Sequence, residues 1–183
     1  ANGTEYGPTS KAPTDAGSYT AEVKLVNPNM TGSQTATYTI SPAEQVIEGK
    51  TDYTATYGNA GIVFENTAKT PVSYEVVPNE DGSPSPISIQ GSYASIVSAG
   101  KSRVVVHAAA SRNYAAAKDV ELTIDVSPAP LLVIVDDAER FEGEENPAFT
   151  SSLISPASTA GVAVSYSCLA DTTSPAGEYE IGA

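Results

Sequence analysis

Few side chains in this chain could do chemistry, and they stand far apart. There is one histidine, His107, and one cysteine, Cys168, which leaves little room for a nucleophile and base pair and none for a Cys/His cluster with zinc spacing. His107 lies in the run 102–108 on the side opposite Val104, Val106 and Ala108, the place of a surface-facing strand histidine rather than a general base. No Gly-x-Ser-x-Gly elbow, phosphate-cradling loop or His-Glu-x-x-His pair occurs. The 22 acidic residues could supply a carboxylate pair for glycoside cleavage, but their scatter over strand faces and turns reads as a solvated surface. The expectation is a protein that is not an enzyme and carries no cofactor.

The densest charge run, residues 136–145, raises one metal question. Asp136, Asp137 and Glu139 offer the hard oxygen ligands that calcium takes, although their spacing is not that of an EF-hand loop, and a hydrated acidic turn is the alternative. Lys24, Lys50, Lys101 and Lys118 invite comparison with lysine–asparagine isopeptide links, but no pairing is evident. Asn2-Gly3-Thr4 and Asn29-Met30-Thr31 fit the Asn-x-Thr acceptor pattern, and Asp171-Thr172-Thr173 is a second short acceptor-like triplet. A lone Cys168 allows no intramolecular disulfide, so any fold must stand on packing alone.

The elements that must position these groups read as strands. Residues 18–26 alternate Tyr19, Ala21, Val23 and Leu25 with Ser18, Thr20, Glu22 and Lys24, a period of two that puts apolar groups on one face. Residues 35–40, 72–77, 102–107, 120–126, 131–135 and 162–166 repeat the pattern at sandwich-like spacing. No stretch carries a helical stripe; residues 114–118 would form one turn at most. The fold class expected is all-β, as tandem β-sandwich domains in an extended array.

A repeated phrase gives the domain organisation. Ala16-Gly17, Ala99-Gly100 and Ala176-Gly177 each open a candidate strand, and the first two strand pairs close on Ser41-Pro42-Ala43 and Ser127-Pro128-Ala129-Pro130. The interval is about 80 residues, too long for a solenoid and right for small domains in series. This predicts the back half of a domain in 1–43, a whole one in 44–129 and the front half of another in 130–183. The halves would be completed by a longer chain or by an adjacent copy. Gly17, Gly100 and Gly177 are expected at the tight turn into the shared strand, and Pro42, Pro128 and Pro130 at stiff, short junctions, because proline cannot donate to a ladder.

The wording of these motifs resembles that of a family. Residues 13–20 and 32–43 resemble the tandem immunoglobulin-like repeats of bacterial surface proteins. Tyr53, Tyr57-Gly58, Ala99-Gly100-Lys101 and Asn113-Tyr114 in 44–129 are similar to the group 2 bacterial immunoglobulin-like module. Residues 130–138, 142–149 and 174–179 resemble the mostly-bacterial immunoglobulin-like repeat, with Phe141-Glu142-Gly143 as a mild departure. The resemblance implies an extracellular or bacterial cell-surface location and a stalk, spacer or adhesin-like filament role. Its partners would be neighbouring immunoglobulin-like domains of the same or an adjacent chain. A net charge of −13 disfavours nucleic acid and anionic membrane, and no segment looks membrane-inserting. The other open reading is a binding module gripping a host glycan or protein through end loops and exposed aromatics; there is no Trp, and Tyr6, Tyr93 and Tyr114 are the rings without an evident core position.

Overall fold

Period-two alternation decides which backbone groups pair with which, and the computed structural model, which describes residues 11–25 and 27–183, is built from strands throughout its regular elements. The chain begins with a hairpin: β1 (Gly17–Lys24) pairs antiparallel with β2 (Ser33–Ile40), Gly17 opposite Ile40 and Tyr19 opposite Tyr38. The two tyrosine rings stack at 5.5 Å. The strand expected over 18–26 thus ends at Lys24, and Val26 lies outside the described residues.

The densest packing follows. β3 (Asp52–Thr56), β4 (Ile62–Val63), β5 (Val72–Val77), β6 (Ile87–Gln90), β7 (Tyr93–Ile96), β8 (Gly100–Ala108) and β9 (Val120–Ser127) form two sheets. One runs in the order β3-β9-β8-β5, the other β4-β7-β6. All pairings are antiparallel except β3 with β9, which run parallel from Asp52 opposite Thr123 to Thr56 opposite Ser127. The turn between β6 and β7 holds only Gly91 and Ser92, and Gly91, at φ +60°, supplies the positive dihedral that such a two-residue turn asks of its first position.

Both sheets turn their apolar faces to one core. From the larger sheet come Tyr53, Val104, Val106, Leu122, Ile124 and Val126; Ile62, Ile87 and Ala94 come from the smaller, with Phe64 just beyond β4. Phe64 meets the rings of Tyr53 and Tyr74 at 5.3 and 5.1 Å. Two sheets closed over one apolar layer is the sandwich solution for strands with a single dry face. The other face of the larger sheet is wet and carries opposite charges across strands: Lys101 pairs with Asp125, and Arg103 reaches Glu121 and Glu80.

Beyond Ser127 the strands are short. β10 (Leu132–Val135) pairs with β11 (Ser151–Ile154), and β12 (Ser167–Cys168) with β13 (Ile181–Gly182), both antiparallel. Two expectations fail here. Residues 162–166 alternate as a strand should, yet they make no ladder and stay irregular, because alternation without a neighbour to pair with leaves the backbone unsatisfied by a sheet. The Ala-Gly phrase at Gly177 opens no strand at once, the next strand beginning only at Ile181, and its backbone lacks the positive φ of Gly17 and Gly100. Residues 114–118 form no helical turn, since Tyr114 is drawn into a parallel bridge with Ala43. No helix among the described residues is long and apolar enough to cross a membrane.

Gly100 begins β8 at φ +141°, a region that side chains with a Cβ rarely enter. Space is not the obstacle, since a Cβ there would meet Pro86 no closer than 3.8 Å. Replacing Gly100 with valine is therefore expected to cost about 1–3 kcal/mol through backbone strain alone, read as a lowered midpoint in a denaturant melt; an unchanged midpoint would remove the turn role assigned to this glycine.

Candidate functional site

The groups singled out for chemistry do not converge. No cluster of three or more His, Cys, Asp or Glu side chains that could hold a metal occurs among the described residues. Asp136 accepts the Thr150 hydroxyl at 2.6 Å, and the acidic run is organised around its own cation: the Arg140 guanidinium donates to Asn146 Oδ1 at 2.8 Å and to the carbonyls of Phe141 and Asp171. Asn146 in turn donates to the Ala170 carbonyl at 2.7 Å. The calcium candidates Asp136, Asp137 and Glu139 are thus not gathered into one oxygen cage.

The remaining candidates fall into structural places. Lys24 pairs with Glu22, Lys101 with Asp125, and Lys50 lies over the Tyr53 ring. The Tyr93 hydroxyl accepts the Gly61 amide at 3.1 Å. Asn29 is exposed in the turn between β1 and β2, and the Asp171 carboxylate is held low in pKa by the hydroxyl and amide of Thr173 and by Ser174. Asn2 and Tyr6 lie outside the described residues. Cys168 sits half-buried in β12.

What the fold does bring together is a joint. Pro42 stands two residues past the end of β2, and the next residue, Ala43, is captured by the loop between β8 and β9: its amide donates to the Asn113 carbonyl at 2.8 Å and its carbonyl accepts from the Ala115 amide at 2.9 Å. The Asn113 side chain reaches the other way, accepting from the Ala16 amide at 2.8 Å and donating to Asp15 at 3.0 Å. Arg112 closes on the same Asp15 at 3.3 Å, and the Tyr19 hydroxyl donates to the Asp15 carbonyl at 2.7 Å. One loop therefore grips the hairpin both where it starts and just beyond where it ends.

Beneath this joint Gln45 is buried and fully used. Its amide nitrogen donates to Thr70 Oγ1 at 3.0 Å and to the Ala115 carbonyl at 2.8 Å, and its oxygen accepts from the Lys69 amide at 2.9 Å. Thr70 completes the network by donating to the Ala109 carbonyl at 2.9 Å. A buried polar network of this kind fixes one arrangement, because any slip leaves a desolvated group without a partner. At the far end of the sandwich, Pro128 and Pro130 are exposed in the stretch after β9. There the turn at Gly58, φ +90°, lies so close to Ala157 that a Cβ would come within 2.8 Å of its methyl group.

The sequence marks Pro42 as a strand-ending residue but not the side chains that bond the backbone around it. Asn113 and Asp15 are 98 residues apart, and nothing local marks either as part of a joint; the one available signal is Gln45, a polar residue three positions after a strand-ending proline. No family model matches the chain, and neither a curated protein nor a solved structure matches it.

His107 occupies the wet face of the larger sheet, with Nδ1 at 2.8 Å from Asp119 and Nε2 at 3.5 Å from Glu75. The hydrogen bond to Asp119, reinforced by the charges of Asp119 and Glu75, raises its pKa above the ordinary 6.5. A raised folded-state value means that the pair's contribution to stability is complete below the unfolded pKa of about 6.5 and disappears as pH climbs through the folded one. An NMR titration of the His107 ring is expected to give a midpoint above 6.5, and Asp119→Asn to bring it back down. At the joint, Gln45→Ala strands the Lys69 amide and the Ala115 carbonyl and should cost about 1–3 kcal/mol in a denaturant melt, with hydrogen exchange rising first at the Lys69 amide.

Proposed function

We propose that this chain is a non-catalytic structural segment, a stalk, spacer or filament section of an extracellular or bacterial cell-surface protein, made of immunoglobulin-like modules in an extended array with bounds near 1–43, 44–129 and 130–183. Seven strands in sheets of four and three, with the chain changing sheet between β3 and β4, β4 and β5, β5 and β6, and β7 and β8, support the immunoglobulin-like reading of the middle module. The observation that carries the functional reading is the joint. Spacers need fixed angles between neighbours, and a proline-led junction pinned by Asn113, Asp15 and a satisfied buried Gln45 supplies one.

The opposite charges on the larger sheet are spent on one another, and the tyrosines with clear positions pack in the core or hold backbone.

Small-angle scattering tests the spacer reading. A compact globule of this length would have a radius of gyration of about 16 Å. The spacer reading expects a clearly larger value and a rod-like distance distribution, and it expects Asn113→Ala to broaden that distribution by loosening the joint. A radius near the globular figure would end it.

A further inference from the structure

The β1–β2 hairpin repeats the ladder of β8–β9. Gly17 faces Ile40 and Gly100 faces Val126, and each pair is followed at once by Ser-Pro-Ala. Aligning the two registers places Val23 where Val106 stands and Tyr38 where Ile124 stands. Val106 and Ile124 are 2% and 1% exposed, buried against the smaller sheet, whereas Val23 and Tyr38 are 65% and 42% exposed. Among the described residues the same ladder thus occurs once covered and once open, and a two-stranded hairpin is at best marginally stable in water without cover.

The converse face lies after Ser127. β10 and β11 put Leu132 opposite Ile154, with Ile134 beside them on the same face, and these three are 56%, 56% and 45% exposed. Residues 130–183 follow a Ser-Pro-Ala phrase, as does the stretch that leads into the sheet covering β8–β9. The two open faces lie at opposite ends of the sandwich: the hairpin is gripped by the loop between β8 and β9, while the chain leaves for β10 from the other end of β9, about 25 Å along the strand.

We propose that the open face of β1–β2 is covered by the β10–β11 face of a second copy of this chain, head to tail. This inference rests on the spacer reading and names its partner. The cover is another copy because the sandwich itself shows what a hairpin of this register takes: a short-stranded sheet, reached from a Ser-Pro-Ala exit, that delivers branched aliphatic side chains. Since the two contacting patches differ, the contact is heterologous and leaves each copy a free patch for a further neighbour. With −13 on each copy, added salt strengthens it.

Sedimentation velocity on the whole chain over a concentration series tests this. The expected result is concentration-dependent association that rises with salt and is lost both in Val23→Glu/Tyr38→Glu and in Ile134→Glu. Mixing those two variants restores a one-to-one pair and nothing longer, because each retains the patch the other lacks. Thr37→Lys, on the opposite face of the hairpin, leaves association intact. Circular dichroism reports folding of each variant, and Ile154→Glu replaces Ile134→Glu if the latter unfolds. Monomers at every concentration, or association that survives either face's substitution, or no pairing in the mixture, would overturn the copy-to-copy contact. Scattering on the same monomers reports their extension separately, so a failed contact and a failed spacer reading give different results.

Discussion

Everything in this molecule hangs on how the Ala-Gly strand pairs with the strand that ends on Ser-Pro-Ala. In β8–β9 the ladder sets Gly100 opposite Val126, and from that point the pleat alone sends Ser102, Val104, Val106 and Ala108 inward together with Leu122, Ile124 and Val126. A slip of one residue would bring Lys101, Arg103 and Asp125 into the core and push the aliphatic row into water. The penalty for burying those charges far exceeds any local preference, so the register is fixed by what lies on the two faces. The glycine makes the entry into β8 affordable for the backbone, and the proline after β9 makes the exit definite, because it offers no amide with which to continue the ladder.

From that register follows the position of the loop between β8 and β9, and from the loop the joint. Arg112 and Asn113 stand at its tip, where they meet Asp15 at the hairpin's start, and the backbone of residues 113–115 holds Ala43 after the hairpin's end. The ion pair is partly exposed and contributes modestly. The order of the joint comes instead from the buried amide of Gln45, whose donors and acceptor are all engaged. The wet face of the larger sheet shows the same economy in reverse: cross-strand pairs and the doubly bonded His107 consume its charges locally.

The longer strands were legible because their alternation is visible over six residues or more, and 72–77 is found where the pattern puts it. The elements of the smaller sheet were not: β4 has two residues, and β6 and β7 four each, too short for a period to declare itself. Residues 162–166 show the opposite failure, a clear alternation with no partner strand. For the joint, the prolines were readable as stops, but Asn113 and Gln45 acquire their meaning only through contacts 97 and 70 residues away, and no local window contains that information. The calcium question over 136–145 drew on residue type alone, whereas the hydrogen bonds of this stretch centre on Arg140, a residue the acidic count hides.

The parallel pairing of β3 with β9 has a mechanical meaning. The chain comes in from the hairpin near the start of β3 and departs after the last residue of β9, and these two strands lie side by side from Asp52–Thr123 to Thr56–Ser127. Tension drawn along the polypeptide would pull the pair in opposite directions along their common length. Their bonds would then have to shear as a group instead of peeling open singly, which is the geometry in which a few weak links resist force best.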